Sequence, residues 1–361
     1  MPRDLHRKPF NDATLAKLEL FRNHLVAWLS VFVGSGKFPG KSIRVFDLFC
    51  GPGKDSQDRR GSPILILESL QTFANQIRRG RHTVDVYYND SEAEKVDGLK
   101  DTVKEAGLRD GPYGLHFDNK DFFEIFGLLY PQMHDSANLL LLDQHGFRFF
   151  SPTVFTQIRK LPFTDTLVFM SSSYVMRFKE QPEINRYLET HKIFVETTPY
   201  HHVHRAILDY YRTLVGADEK YFLAPFSFAS GSNVYGVLFG TGNHLGLHKF
   251  LETAWRMDKI TGEANYDIYR EGITAGQGMF FGMEKPKKIQ LLEEEFEKEL
   301  LAGHLPDTGA IYSYVLQQGF LMKHATPVLR RLKKAGQIDG NITGIEYASL
   351  KKPEPIEVIR K

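Results

Sequence analysis

One cysteine, Cys50, stands in a chain of 361 residues. A lone thiol excludes an internal disulfide framework and any zinc or iron–sulfur site built from several cysteines, and it suits a reducing cytoplasm. Long apolar runs are missing as well: no stretch reaches the roughly 18 uncharged residues that a membrane span takes. The opening MPRDLHRKPF has neither an apolar core nor a cleavage pattern, so no secretory signal and no membrane contact are expected. Charge of one sign is nearly cancelled, 46 Lys and Arg against 44 Asp and Glu, and by itself names no partner. Phosphate signatures are also lacking. The absence of G-x-x-x-x-G-K-[ST] argues against a P-loop, and no clean G-x-G-x-x-G opens a helix, so the pyrophosphate of a dinucleotide lacks its usual seat.

What is present is alternation. Residues 12–33 carry Leu15, Leu18, Leu20, Phe21, Leu25, Trp28 and Leu29 at helical spacing, which predicts a leading amphipathic helix. Strand patterns at 43–49, 83–89, 115–118, 138–143 and 166–171 then alternate with helical patterns near 63–79, 92–105, 122–129 and 152–160. Apolar strands between helices mean a parallel sheet covered on both faces. The run KYFLAPFSFASGSNVYGVLFGTG breaks the pattern, and two strands across Ser230-Gly231-Ser232 predict a closing antiparallel hairpin. That ending is characteristic of the Rossmann-like class I methyltransferase fold, an α/β class, whereas nicotinamide-binding sheets usually keep their last strand parallel. A helix is expected over 248–259. A glycine-rich stretch at 262–284 then reads as a linker between a domain at 1–261 and a second at 285–361. In the second, helices over 286–301, 308–318 and 324–335 and an extended pair in GQIDGNITGIEYA predict a winged helix-turn-helix.

In IRVFDLFCGPGKDSQDRRGSPILILESL a strand ends in an acid, Asp47, and runs into Gly51 and Gly53, which permit unusual dihedrals and a close approach of ligand to backbone. A helix is expected to begin after the N-cap Ser62, with Pro63 in its first position. S-adenosylmethionine has no phosphate and makes other demands: an acid toward its amino-acid end, an acid on its ribose hydroxyls and a polar group at its adenine. Asp47, Asp90 and Asp121 follow the first three strands in that order, at the ends where open α/β sheets bind ligands. With Phe49, Gly51 and Gly53 they form the candidate cofactor site. Each acid taken singly also fits a helix cap or a turn.

These residues resemble the three-Cys-motif partner proteins. The resemblance is carried by KLELFRNHLVAWLSVF, by VFDLFCGPG with GSPILILESL, by NLLLLDQHGF, by NVYGVLFGTGNHLGLHKFLETAW and by IYSYVLQQGFLMKHATPVLRRLKKAGQI, and it spans most of the chain. It implies a methyltransferase-like domain and a partner protein with three cysteines that itself resembles radical S-adenosylmethionine proteins. It implies no substrate. One departure matters: where the family commonly carries Asp-Pro-aromatic-Gly after the fourth strand, this chain has Asp143-Gln144-His145-Gly146-Phe147. Amino-methyltransferases place a [DN]-P-P-[YF] motif here, which holds an exocyclic amine while its aromatic ring stacks on the base. Asp143 can accept from such an amine, His145 can serve as a general base near neutral pH, and Phe147 or Phe149 can stack. Without the proline the carbonyl loses rigidity. The plainer alternative is that Asp143 and His145 bond to each other or to their loop.

Other residues invite plainer readings. His201, His202 and His204 can share a helical face, but no carboxylate stands at a ligand spacing and no metal is expected. Cys50 lacks the second cysteine or Pro-Cys pair of pyrimidine C5 chemistry and reads as packing. SSSYVMRF, after the fifth strand, can line a substrate side through Tyr174 and Arg177 or be a plain loop. Near the C-terminus, Arg330, Arg331, Lys333 and Lys334 would neutralise phosphates and bind nucleic acid with a salt-dependent affinity, although a winged helix can equally meet a protein. Two functions stay open. One is an S-adenosylmethionine-dependent methyltransferase acting on nucleic acid, most readily at a base amine. The other is a module that has lost transfer chemistry and recognises nucleic acid for the three-cysteine partner.

Overall fold

The computed structural model describes residues 8–35, 38, 40, 42–144, 148–185, 187–194, 202–216, 218–231, 233–268 and 285–359. The chain divides into two compact units, Met1–Gly242 and Asn243–Lys361. Among the described residues no helix is long and apolar enough to cross a membrane.

The first unit opens with α1 (Asp12–Leu29), β1 (Ser42–Asp47), α2 (Ser62–Thr72), α3 (Ala74–Arg79), β2 (Thr83–Asn89) and α4 (Ala93–Glu105). It continues through β3 (Gly114–Asp118), α5 (Phe122–Leu129), β4 (Ser136–Leu142), α6 (Pro152–Ile158) and β5 (Thr164–Met170). Three short helices follow, α7 (Ser172–Arg177), α8 (Pro182–Asn185) and α9 (Thr190–Ile193), and then α10 (Val203–Thr213), β6 (Phe222–Ser230) and β7 (Asn233–Thr241).

The seven strands form one sheet in the order β3-β2-β1-β4-β5-β7-β6. β1 to β5 run parallel, with Val45 opposite both Val86 and Leu139, while β7 enters antiparallel between β5 and β6. Gly231, at φ 58°, takes the left-handed position that the hairpin turn needs; Ser232 lies outside the described residues. Helices cover both faces of such a sheet, and β4 is accordingly buried at every position. All five parallel strands lie within two residues of where the apolar pattern puts them.

The helices differ more. The helical pattern over 63–79 breaks at Phe73 into α2 and α3, and the leading helix passes into a wider π turn at Ser30–Gly34. Asn11 caps α1 by accepting the Thr14 amide at 2.8 Å. Of the expected stripe, Leu18, Leu20, Phe21, Leu25, Trp28 and Leu29 are buried and Leu15 only half-buried, with α2 and β6 among the neighbours of α1. Because β1 pairs with β2 on one side and β4 on the other, the chain leaves these strands in opposite directions, and a crevice opens at their carboxyl ends.

The second unit contains α11 (His244–Met257), α12 (Lys287–Leu301), α13 (Thr308–Gln317), α14 (Met322–Lys334), β8 (Ile338–Gly340) and β9 (Ile356–Val358). Its core holds Phe296, Leu300, Ile311, Tyr312, Leu329 and Leu332. Two details depart from the sequence reading. α11 belongs with these helices, packing on α13 and passing a hydrogen bond from Trp255 Nε1 to the Gly319 carbonyl at 3.0 Å, so the division falls at Gly242 rather than in the glycine-rich stretch. The extended pair expected inside GQIDGNITGIEYA forms differently. β8 pairs antiparallel with the later β9, Ile338 opposite Val358, and Tyr347–Leu350 makes a helical turn between them.

Candidate functional site

The loop after β1 turns at Gly51 (φ 58°) and Gly53 (φ 83°). At Gly53 the requirement is packing: a Cβ there would approach Leu99 Cδ1 to 2.7 Å, so this glycine seats the loop on α4 rather than baring backbone to a ligand. From Gly53 to Gly61 the chain closes on itself, the Gly61 amide donating to the Gly53 carbonyl at 2.8 Å. Asp55 is buried inside that loop. It accepts the amides of Phe10, Gln57 and Arg59 and the Arg59 guanidinium at 2.6–2.9 Å. Burial works to raise its pKa, and these donors outweigh burial and hold the carboxyl at about 2. The Phe10 amide belongs to the segment just before α1, which is thereby pinned to the loop.

Asp47 ends β1 and is fully buried. Ser62 does not cap α2, where Gly61 takes the cap position; its hydroxyl donates instead to Asp47 Oδ2 at 2.7 Å. Among the described residues no hydrogen bond reaches Oδ1. Burial raises the carboxyl to about 7, with the charge of Asp143 adding to it and Ser62, the Phe49 amide and Lys17 pulling the other way. Asp90, just past β2, accepts the Gly51 amide on Oδ2 at 3.1 Å and the Glu92 amide on Oδ1 at 3.0 Å. An ionised carboxylate has about four acceptor sites, so capacity for ribose hydroxyls remains. Asp121 is the helix cap that such an acid can always become: its Oδ1 accepts the Phe123 amide at 2.9 Å, and Oδ2 lies 3.8 Å from Arg148.

Phe49 stacks on Phe122 with ring centres 5.3 Å apart and meets Phe149 at 5.1 Å. The Arg148 guanidinium sits 4.3 Å from the Phe149 ring centre. Asp143 follows β4, and its Oδ2 accepts a hydrogen bond from Lys17 of α1, whose ammonium also lies 4.4 Å from the Phe169 ring centre. Gln144 is buried and accepts the Phe149 amide on Oε1 at 2.9 Å. His145 and Phe147, expected as base and stacking ring, lie outside the described residues.

Asp90, Asp121, Asp143, Gln144, Phe49 and Lys17 come together around a cleft of about 480 Å³, a volume that suits a nucleoside-sized ligand. Gly61 and Ser62 line it; Gly51 and Gly53 do not. One wall, residues 8–18, comes from the start of the chain and was not foreseen. A signal existed. Ala13, Lys17, Phe21, His24 and Trp28 recur at steps of three and four, so a lysine stands on the stripe that the helix buries.

Cys50 lines the cleft too, but it is buried, and burial followed by the charges of Asp47 and Asp90 pushes its thiol well above the usual range. That direction disfavours a nucleophile. SSSYVMRF forms α7 rather than a loop; Tyr174 packs on Phe178 at 4.7 Å and Arg177 reaches Asn233 at 3.4 Å, neither at the cleft. His204 is buried in α10, and His201 lies outside the described residues. Among the described residues no group of three or more His, Cys, Asp or Glu is arranged to hold a metal.

In the second unit α14 carries the basic cluster. Arg331 pairs with Glu297 at 2.7 Å, and Lys333 donates to the Gly340 carbonyl and lies 3.9 Å from Asp339. Arg330 and Lys334 are exposed.

The sheet order, with β7 antiparallel between β5 and β6, is the class I methyltransferase order. Similar solved structures carry methyltransferase names. A SAM-dependent methyltransferase from Agrobacterium tumefaciens is 11% identical over 64% of this chain and 62% of its own, with a TM-score of 0.36. Trm1 from Pyrococcus horikoshii, solved with S-adenosyl-L-methionine, is 14% identical over 97% of this chain and 92% of its own, with a TM-score of 0.40. An O-methyltransferase from Bacillus cereus, solved with SAH, is 11% identical over 64% and 91%, at 0.36. The chain thus spans 62% of the length of the Agrobacterium protein. No protein-family model matches the chain, and no curated protein matches its sequence.

Proposed function

We propose that the first unit binds S-adenosylmethionine in this cleft and transfers the methyl group to an amine of a nucleic-acid base. The observation that carries the reading is that Asp90 after β2 and Asp143–Gln144 after β4 line one cleft at the switch point of the sheet. The residues suit the cofactor in part: Asp90 retains acceptor capacity and Phe49 offers a ring, whereas Asp47 is fully buried and does not line the cleft. Bound there, the cofactor supplies a methyl group on a positively charged sulfur. Asp143 would accept an N–H of the amine, steady the positive charge that grows on that nitrogen, and take or pass on the proton it sheds.

A second reading is favoured by Lys17. Its ammonium already holds Asp143, and it brings positive charge to the place where a methylated amine would develop its own. On that reading the cleft binds cofactor without transfer, and the chain recognises nucleic acid for a three-cysteine partner, as its resemblance to the three-Cys-motif partner family implies. On either reading we take the second unit as a winged helix, with β8 and β9 as the wing, that meets phosphates through α14, in a cytoplasmic protein.

Calorimetry with S-adenosylmethionine and its demethylated product tests the cofactor. Transfer of labelled methyl to mixed DNA and RNA, with and without the three-cysteine partner, separates the two readings. Label above the Asp143→Asn background supports the enzyme. Binding of cofactor and nucleic acid without label supports the module, and failure to bind cofactor removes both.

A further inference from the structure

Gln144 is a buried residue whose hydrogen bonding is half complete. It is 2% exposed. Its Oε1 accepts the Phe149 amide at 2.9 Å, and because that amide can only donate, the carboxamide must present its oxygen there. Nε2 then carries two N–H donors with no acceptor among the described residues. Leaving a buried donor unpaired is destabilising, so an acceptor from outside the chain would relieve it. Asp143, the preceding residue, lines the same cleft. Lys17 takes its Oδ2, and Oδ1 can still accept. Consecutive residues at the end of β4 therefore offer an acceptor and then a donor.

We infer that Asp143 and Gln144 together read an amidine edge, an exocyclic amine flanked by a bare ring nitrogen, as adenine and cytosine present. The inference rests on the proposal that a nucleic-acid base enters this cleft. The amine would donate to Asp143 Oδ1 and the ring nitrogen would accept from Gln144 Nε2, the complementarity by which a carboxamide recognises adenine elsewhere. Uracil and thymine have no amine. On the pairing edge of guanine the amine is flanked by N1–H, a donor that would face the Gln144 donor. A proline at position 144 has no side-chain donor at all, so this selectivity belongs to the departure Asp143-Gln144 and not to the motif it replaces.

The test is binding of fluorescein-labelled single-stranded oligonucleotides by the full chain with cofactor present, each a uracil tract carrying one adenine, cytosine or guanine. Further probes replace the adenine by 1-deazaadenine or 7-deazaadenine. Adenine and cytosine are expected to bind at least about tenfold tighter than guanine or plain uracil, and 1-deazaadenine, which lacks the amidine's ring nitrogen, to lose that advantage while 7-deazaadenine keeps it. Gln144→Glu keeps the oxygen that the Phe149 amide needs and removes the donor, so the advantage should vanish. Should the added charge beside Asp143 unfold the protein, Gln144→Met removes the donor without it. Equal binding of all four bases, or a preference that survives in the variants, overturns the inference alone. Failure of every oligonucleotide to bind overturns the nucleic-acid reading and the inference with it.

Discussion

Lys17 and Asp143, 126 positions apart in the chain, meet in the cleft at a hydrogen-bonded ion pair in which both side chains are largely buried. The contact joins α1 to the end of β4. It gives the leading helix a part in the site beyond covering the sheet, because any amine that seeks Asp143 must share the carboxylate with an ammonium already there.

Lys17→Met keeps an apolar stem against Phe169 and removes the competing charge. Removing one partner of a largely buried pair leaves the other charge uncompensated, so an amine should be drawn more strongly to Asp143 and KM for nucleic acid should fall, while Lys17→Arg stays near wild type. Asp143→Asn should slow transfer by roughly 10 to 1,000-fold at nearly constant cofactor affinity, because only the charge that develops in the transition state is left unsupported. Steady-state kinetics check both. A KM that rises in Lys17→Met would make the lysine a substrate contact.

If Asp90 accepts the ribose hydroxyls as proposed, Asp90→Ala removes that acceptor and also frees the Gly51 and Glu92 amides. The loss should be about 1.5–3 kcal/mol, or one to two decades in cofactor affinity by calorimetry. Asp121→Ala, by contrast, should cost helix-cap stability of about 1 kcal/mol and little affinity, since its Oδ1 is committed to the Phe123 amide. Equal losses of affinity in the two variants would reverse this division of labour.

Asp47 supplies a pH dependence. Its folded pKa is raised to about 7 by burial, above an unfolded value near 3.9, so the folded state holds the extra proton in that interval. Stability therefore declines as pH rises from about 4 to about 7, and the deficit persists above 7. Asp47→Asn keeps an acceptor for Ser62 and cannot ionise. Its stability relative to wild type, from denaturant titrations, should be flat below pH 4 and grow in its favour up to pH 7. The difference must be taken between the two proteins because Asp165, likewise raised to about 7 by burial, titrates in the same window. A variant that tracks wild type at every pH would place the Asp47 titration elsewhere.

On α14 the four basic residues should not count equally. All four are exposed, but Arg331 and Lys333 already have partners. Neutralising Arg330 and Lys334 should flatten the slope of log affinity against log salt by about two if both touch phosphates. Neutralising Arg331 and Lys333 should change it less. Identical slopes for the two double variants would mean that the intramolecular pairs open on binding.

The strands were legible because a parallel sheet buried on both faces favours apolar runs: β4 is buried at every position, and β2, which alternates, still ends in an amide with an acid just beyond. Asp90 could be picked out for the same reason: the end of a parallel strand is where side chains leave the sheet toward the crevice. Local pattern also bounds α5, whose cap Asp121 and apolar face lie within a few residues. What the sequence could not determine is which distant groups share a site. Ser62 has the chemistry of a helix cap, and only the burial of Asp47 fifteen residues earlier explains why its hydroxyl turns inward. Lys17 reads locally as one polar residue on an amphipathic helix. Its pairing with Asp143 depends on where α1 lies against the finished sheet, a placement set by the sum of many apolar contacts and not by any stretch of neighbours along the chain. The Gln144 carboxamide nitrogen, without an acceptor among the described residues, is of the same kind, since that is visible only when everything around it is in place.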